Sequence, residues 1–337
     1  MSYSVKGRPF LFKGATDVYD CETSIDVMRK ANLDFIVDKC EIQGVIKNEQ
    51  NGITFGCKTP TVKGYYATYR RDLDIPLGIV KEKYTPVQNV EAFTFFDNAI
   101  GKDKAIWDTA GCFGNGETIF VSAKLPDTFK VGIDGVDNYL VFTNSHDGSS
   151  GVKIMITPIR IICQNVLNSA VRHATNYVSF RHTKSVHQNI DIADEILGLS
   201  HTKIVEFKEI CEYLGKKTIT YEEQNKVISN FVLSTEEKNK LKQGGYTYKD
   251  VINRRWNALE CAEISTRKAN LIIDIILYTN NGIGQKEILG TAWGTLNGLT
   301  GYYSNVANIN GEDRMKSLLY GDRANKIKQF TEYLIAA

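Results

Sequence analysis

The sequence predicts an α+β fold, with a mixed or antiparallel sheet and one crossing helix in the N-terminal half and a helical C-terminal half. Between about residues 44 and 155, short β-rich runs alternate with turn residues, in ITFGCKT, GYYATYR, LGIVKEKYTPV, ETIFVSAKLP, NYLVFTN and VKIMIT. After residue 157, apolar residues recur at helical spacing behind polar capping residues. We therefore expect a β-rich α+β domain over residues 1–186 and a helical domain over residues 187–337.

The clearest local prediction is a hairpin whose turn contains an Asp-Gly step. The runs NYLVFTN and VKIMIT flank residues 145–151, where glycine supplies the positive φ that tight turns require. Leu140 and Phe142 should therefore point to the side of the sheet opposite Val141. A second hairpin is expected at the Asn-Gly step within residues 112–116, before the strand ETIFVSAKLP.

Helices are expected at several places. The run NVEAFTFFDNAIG, with Asn89 as its N-cap, is the helix expected to cross the sheet. Capping boxes at Thr220 with Glu223 and at Ser234 with Glu237 mark two further helix starts. The run LIIDIILY is too short to cross a bilayer and predicts a buried helix. One apolar helical face near the C-terminus is expected in the core: Ile288, Leu289, Ala292, Trp293, Leu296, Leu299 and Tyr303.

The charge balance excludes a protein that binds nucleic acid through bulk positive charge. The 337 residues contain 41 Lys and Arg against 39 Asp and Glu, a net charge of only +2. Seven scattered cysteines without a C-x-x-C pair predict free thiols and a reducing, cytoplasmic location. The first residues do not resemble an export signal and no apolar run is long enough for a span, so no membrane contact is expected. The histidines lack metal-ligand spacing, and neither a metal nor a cofactor is expected.

One segment carries segregated positive charge. No Asp or Glu lies between Asp147 and Asp191, whereas five basic residues do. The resulting positive potential would attract phosphates, whose counterions are released on binding. The alternative is a half-buried strand and helix whose few charges happen to be basic. The candidate phosphate contacts in this segment are Lys153, Arg160, Arg172, Arg181 and Lys184.

The run KGYYATYRR combines aromatic and cationic residues. As a strand it would alternate between two faces, with Tyr65, Ala67, Tyr69 and Arg71 on one and Tyr66, Thr68 and Arg70 on the other. Single-stranded nucleic acid is held by rings that stack on bases beside cations that meet phosphates. The alternative is that one tyrosine face belongs to the core and the arginines cap a solvent-facing edge. The candidate contacts here are Lys63, Tyr65, Tyr69, Arg70 and Arg71.

Four polar residues are candidates for a small pocket. Asn144 and His146 lie at the first hairpin, and Gln164 and Asn165 precede an expected helix whose free amides could meet an anion. The alternative is that these side chains stabilise turns. Residues 145–147 spell Ser-His-Asp, but adjacent residues cannot direct their side chains into one relay, so no catalytic residue is assigned.

Four stretches together resemble one protein family: LGIVKEKYTPVQN, TAGCFGNGETIFVSAKLP, YLVFTNSHDGSSGVKIMITPIRIICQNVLNSA and GTAWGTLNGLTGYYSN. They are similar to the phage/plasmid-like proteins that are grouped as a bacterial domain of unknown function, from roughly residue 81 to the C-terminus. The resemblance implies a phage, prophage or plasmid source and a role near DNA metabolism. It transfers no catalytic residues.

These observations support one leading hypothesis and two alternatives. The leading hypothesis is a phage- or plasmid-encoded accessory protein that binds or anneals single-stranded nucleic acid, DNA above all, in replication or recombination. Its groove would combine residues 65–71 with residues 153–184, and the helical half would brace the groove or form a homo-oligomer. The second hypothesis is a host-interaction protein that binds a bacterial protein through its helical half. The third is an enzyme that acts on a nucleotide at the polar pocket, ranked last because no nucleophile and base can be named.

Overall fold

The computed structural model describes residues 10, 15–50, 53–93, 105–160, 177–183, 193–307 and 311–336. Within these residues, strands occupy the first half of the chain and helices occupy the second. The expected α+β class is therefore confirmed. The expected domain boundary between residues 186 and 187 falls outside the described residues and stays a prediction.

The described strands form three antiparallel sheets. The strands are β1 Ala15–Asp17, β2 Val37–Gln43, β3 Ile46–Gln50, β4 Ile53–Lys58, β5 Thr61–Arg70, β6 Ile75–Lys81, β7 Ile106–Phe113, β8 Thr118–Val131, β9 Asp134–Ser145, β10 Val152–Arg160 and β11 Tyr177–Phe180. The largest sheet has six strands in the order β1-β7-β8-β9-β10-β11. A three-stranded sheet has the order β2-β5-β6, and β3 and β4 form a separate hairpin.

The six-stranded sheet separates two hydrophobic cores. Tyr139 and Val141 of β9 face one core, which they share with helices of the C-terminal half. Leu140 and Phe142 face the other core, which they share with the helix α1 Ser24–Lys30 and with residues of the three-stranded sheet. The alternation expected along β9 is therefore confirmed.

Both expected hairpins are present. Strands β9 and β10 are paired, and residues 146–151 form the loop between them. Strands β7 and β8 are paired, and their turn holds Gly114 at a φ of 59° and Gly116 at a φ of 112°. Glycine is required at these positions because a side chain would strain a backbone of positive φ.

The described part of the C-terminal half is helical. Its helices are α2 Ala193–Lys216, α3 Tyr221–Val232, α4 Thr235–Gln243, α5 Tyr248–Ile252, α6 Trp256–Cys261, α7 Thr266–Asn281, α8 Ala292–Gly301, α9 Gly311–Leu319 and α10 Asp322–Ala336. Both expected capping boxes are confirmed: the hydroxyls of Thr220 and Ser234 each accept a hydrogen bond of 3.2 Å from the backbone amide of Glu223 and Glu237, respectively. These bonds satisfy amides that the first turn leaves free.

The apolar segments expected in the core lie there in large part. The run LIIDIILY lies within α7, where Ile272, Ile275 and Ile276 are buried and Leu277 is 53% exposed. Of the apolar face near the C-terminus, Leu289 is 42% exposed in the turn before α8, and the other residues are buried. The Trp293 Nε1 of α8 donates to Asp134 Oδ2 at 2.8 Å, which joins α8 to the start of β9. None of the described helices is long and apolar enough to cross a membrane.

The start of the expected crossing helix differs from the prediction. Residues 89–93 are helical, and residues 94–100 lie outside the described part. Asn89 lies within the first turn and does not cap it, since its Oδ1, the atom that would accept a capping bond, lies 2.8 Å from His146 Nε2, while its Nδ2 donates to the carbonyl of Leu33 at 2.8 Å. Buried partners distant in sequence thus occupy the side chain that the local rule assigned to the cap.

Five cysteines are confirmed as free thiols: Cys21, Cys40, Cys112, Cys211 and Cys261. The side chains of Cys57 and Cys163 lie outside the described part of the structure. The prediction of a free thiol therefore holds for every cysteine whose side chain is described.

Candidate nucleic-acid interface

One face of the three-stranded sheet carries exposed aromatic, aliphatic and cationic side chains. Along β5, Thr68 and Arg70 are buried whereas Tyr65 is 46% exposed, so the expected alternation is confirmed. On β6, Lys81 lies directly opposite Tyr65, and Ile79 is 66% exposed. We call this surface the outer face and define it by Tyr65, Tyr69, Ile79 and Lys81, together with the exposed Lys63 two residues before Tyr65.

Arg70 lies beneath the outer face, and its guanidinium is bound by other groups of the fold. Its Nε and Nη2 each donate to the Asp72 carboxylate at 2.9 Å, and its Nη1 donates to the carbonyl of Asn115 at 2.6 Å. The guanidinium also lies 3.8 Å from the centre of the Phe35 ring. The hydrogen bonds to Asp72 raise the pKa of Arg70 above its usual value. Arg70 thus ties β5 to the turn between β7 and β8, and the structure does not present it to a phosphate as the groove hypothesis required.

Arg71 is exposed but already paired. Its Nε and Nη2 donate to the two Asp38 oxygens at 2.9 and 3.0 Å, and these hydrogen bonds raise the pKa of Arg71. The arginine of an exposed bidentate pair stays charged, but its carboxylate partner makes it attract a phosphate less strongly than a free cation would. Lys63 and Lys81, in contrast, form no ion pair with the residues that the structure describes.

Of the five candidate contacts in the acid-free segment, the structure describes the side chains of Lys153 and Arg181, so the single groove that would join this segment to the outer face stays a prediction. Lys153 is only 9% exposed, its Nζ lies 4.3 Å from the centre of the Tyr320 ring, and it hydrogen-bonds to Ser150 Oγ. Burial, with a smaller effect of Lys316, lowers the pKa of Lys153. Arg181 is exposed at the end of β11. The side chain of Arg160 and the whole of Arg172 and Lys184 lie outside the described part.

Asn144 and His146 lie in a buried network and line no open pocket. His146 Nε2 is 2.8 Å from Asn89 Oδ1, and Asn144 Nδ2 donates to the carbonyl of Val87 at 3.0 Å. The His146 ring packs edge-on against Phe35 with ring centres 5.9 Å apart. Burial lowers the pKa of His146 to about 3, so the ring is neutral at pH 7. These two side chains hold the hairpin loop in place, as the turn-stabilising alternative expects. Gln164 and Asn165 lie outside the described part.

A second histidine extends this network. His182 stacks on Tyr84 with ring centres 4.6 Å apart, and its Nδ1 lies 3.3 Å from the carbonyl of Thr85. Burial lowers the pKa of His182 to about 4. The Tyr84 hydroxyl donates to the carbonyl of Ser145 at 2.9 Å. Burial therefore keeps both rings neutral at pH 7, where they help to hold the hairpin loop against residues 84–89.

The Ser-His-Asp tripeptide forms no relay. The Asp147 carboxylate accepts hydrogen bonds from the Ser145 hydroxyl and from the Ser149 amide, whereas His146 turns to Asn89. Among the described residues, no three His, Cys, Asp or Glu side chains are grouped to hold a metal ion. No catalytic group is therefore assigned.

The three-stranded sheet rests directly on the hairpin loop. A Cβ at Gly78 would lie 2.5 Å from the Cα of Asp147, and one at Gly148 would lie 2.9 Å from a methyl of Val80. Backbone therefore meets backbone at Gly78, where only glycine leaves room. This contact fixes β6, which carries Ile79 and Lys81, against the hairpin loop.

Sequence reasoning missed three exposed residues. Ile79 and Lys81 belong to the outer face through their pairing with β5, which the sequence does not specify. Trp256 is 68% exposed, although tryptophan is rarely left in solvent. The signal that could have found Trp256 is its position directly after Arg254 and Arg255, outside any apolar periodicity.

A family model described as "Domain of unknown function (DUF932)" matches residues 76–329. The match begins in β6 and ends in α10, so it includes Ile79, Lys81 and Trp256 and excludes β5. No curated protein and no solved structure matches the chain.

Proposed function

We propose that this chain, which belongs to the family described as Domain of unknown function (DUF932), binds single-stranded nucleic acid through its outer face. The family description carries no activity, so the proposal rests on the chain's own residues. The observation that carries it is the exposure of Tyr65 and Ile79 next to Lys63 and Lys81, two cations that form no ion pair with a described residue.

The chemistry of the outer face fits a single strand. A tyrosine ring that is half exposed offers a flat surface to any base, and stacking of this kind contributes roughly 1–3 kcal/mol per base. Lys81 lies opposite Tyr65, so a phosphate next to a stacked base would lie within reach of a cation. Ile79 extends the apolar surface. A net charge of +2 means that such local groups, and not bulk charge, would hold the ligand.

The biological setting is part of the same proposal. Similarity to phage/plasmid-like proteins supports an accessory role in the replication, recombination or annealing of single-stranded DNA, in the cytoplasm of a bacterial host. A homo-oligomer would align several outer faces along one strand. The buried, internally bonded state of Asn144 and His146 does not favour the nucleotide-enzyme alternative. A host-protein partner remains the competing function.

Replacing Tyr65 by Ala should weaken binding of labelled single-stranded DNA about 5- to 150-fold, the equivalent of roughly 1–3 kcal/mol, because one stacked base is lost. Fluorescence anisotropy of a labelled oligonucleotide measures the change. Tyr213→Ala is the matched control, since Tyr213 is 48% exposed on α2, away from the outer face. The control should bind like the parent, and both variants should keep the parent's melting temperature because the rings are half exposed.

The cationic part of the outer face gives the second arm of this experiment. The double variant Lys63→Gln, Lys81→Gln should bind every oligonucleotide sequence more weakly and with a flatter salt dependence, since phosphate contacts release counterions and carry no base information. Folded Tyr65 and lysine variants that bind as tightly as the parent would refute the outer face as the binding surface. If the parent protein binds a bacterial protein but no oligonucleotide, its function is to bind a protein partner.

A further inference from the structure

Three consecutive residues of the helical half combine a left-handed backbone, a cationic N-cap and an exposed aromatic ring. Arg254 has a φ of 52°, the left-handed region, where glycine or asparagine is usual. The backbone there forms a Schellman end to α5: the Arg255 amide donates to the Asp250 carbonyl at 2.9 Å and the Arg254 amide to the Val251 carbonyl at 3.0 Å. An arginine therefore occupies a position where glycine would fold with less strain.

The next residue, Arg255, is the N-cap of α6 and makes no side-chain capping bond. The N-caps of α3, α4, α7 and α8 are hydroxyl residues, each of which accepts a backbone amide of its helix: Thr220, Ser234, Ser265 and Thr291. Arginine cannot accept a hydrogen bond and so cannot cap. The N-cap Thr247 of α5 makes no side-chain capping bond either, but α6 is the described helix that begins at a cation.

Trp256 follows, and its indole is 68% exposed. The other two tryptophans of the chain, Trp107 and Trp293, are 2% and 1% exposed. Trp256 makes no ring contact and no side-chain hydrogen bond with the residues that the structure describes. A large aromatic side chain held in solvent contributes little to folding, and exposed apolar groups of this kind mark contact sites.

Two arginines directly precede Trp256 and favour an anionic ligand. The Arg254 guanidinium forms no ion pair with a described residue, and Arg255 is paired with Asp250 at 2.8 Å. Residues 253–257 are all exposed and Trp256 is the one apolar side chain among them, so these residues form no apolar groove. A hydrophobic peptide needs a groove to bury its side chains, whereas a nucleobase needs only one flat ring face.

We infer that Arg254, Arg255 and Trp256 form a second contact for single-stranded nucleic acid, in which a base stacks on Trp256 and the arginines meet the adjacent phosphates. The inference takes its ligand class from the proposed function and assigns that ligand a separate surface on the helical half. A single strand longer than the outer face would then engage both halves of the chain, and the two contacts would strengthen each other through their effective concentration.

Trp256 itself reports on this contact. Addition of a (dT)-type oligonucleotide to the full chain should quench the tryptophan emission, because the one exposed indole stacks on a base while Trp107 and Trp293 stay buried. Trp256→Phe should abolish the quench, and Trp256→Ala should weaken oligonucleotide binding about tenfold. Heparin, a polyanion without bases, should bind without the stacking quench.

The matched pair Arg254→Gly and Glu263→Gly separates ligand contact from backbone strain. Glu263 has a φ of 54° and occupies the equivalent Schellman position after α6, where the Ile264 amide donates to the Leu259 carbonyl at 2.8 Å. Both glycine variants should raise the melting temperature, because both relieve a left-handed side chain. Only Arg254→Gly should weaken oligonucleotide binding and flatten its salt dependence.

Three results would overturn the inference. If oligonucleotides bind and Tyr65→Ala weakens this binding while the Trp256 emission stays constant, the second contact is absent and the outer face remains the binding surface. If an acidic peptide such as poly-Glu quenches Trp256 and oligonucleotides do not, the surface belongs to a protein partner. If no oligonucleotide binds in either assay, the inference fails together with the proposed function.

Discussion

Lowering the pH from 7 to 5 should destabilise the folded protein by about 4 kcal/mol through His146 and His182 alone. Burial holds their pKa values at about 3 and about 4 in the folded state, below the value of 6.5 expected in the unfolded chain. The unfolded state therefore binds more protons, so the stabilisation is complete above pH 6.5 and is lost as the pH falls. Each histidine contributes about 2 kcal/mol of this loss at pH 5.

The charged groups around the two rings do not reverse this direction. His146 lies near His182, Asp147 and Arg70, and only Asp147 favours a protonated ring. His182 lies near Lys153, which opposes protonation, and near Asp147, which favours it. Desolvation is the largest effect for both rings, so both stay neutral at pH 7.

Urea unfolding at a series of pH values between 7 and 5 measures this loss. The single variants His146→Gln and His182→Gln are less stable at pH 7, but each should remove about half of the decline in stability toward pH 5. The double variant should show an almost flat profile in this range. If the double variant loses stability with pH as steeply as the parent does, the histidines do not carry the acid sensitivity.

Gly78→Ala should destabilise the protein by about 3 kcal/mol, although alanine suits a strand no worse than glycine does. The added Cβ would lie 2.5 Å from both the Cα and the carbonyl oxygen of Asp147, and backbone atoms cannot move aside as a flexible side chain can. The three-stranded sheet would have to shift on the hairpin loop. The expected result is a lower urea midpoint together with weaker oligonucleotide binding.

Gly44→Ala is the control for this substitution. Gly44 also borders the three-stranded sheet, but an added Cβ would lie 3.8 Å from its nearest neighbour, the Pro60 carbonyl oxygen, which is ordinary contact. Its stability should equal or slightly exceed that of the parent. A Gly78→Ala protein as stable as the Gly44→Ala protein would show that the sheet and the loop do not meet as closely as described.

The parts of the fold that could be predicted from the sequence are those whose causes are local. The alternation along β9, the glycine turns and the two capping boxes each depend on residues within a few positions, and each is confirmed. Asn89 marks the limit of such rules. Its Oδ1 lies 2.8 Å from His146 Nε2, more than fifty residues away in sequence, and the local capping rule does not foresee that competitor.

The candidate site could be predicted only in part. The exposure of Tyr65 and the burial of Arg70 follow from one strand alternation, but the sequence does not say which of the two faces the core covers. Arg70 was expected to meet phosphates, but its guanidinium is bound by the nearby Asp72 and by the carbonyl of Asn115, which lies in a turn that only the fold brings near. Ile79 joined the site for the same reason, through its pairing with β5.

The most direct test of nucleic-acid binding is the anisotropy of labelled single-stranded DNA titrated with the purified full chain at increasing salt. We expect binding at low salt, and a logarithm of the affinity that falls linearly with the logarithm of the salt concentration, as a few phosphate contacts would give. An anisotropy that stays constant at the lowest salt concentration would contradict a nucleic-acid-binding function for this protein.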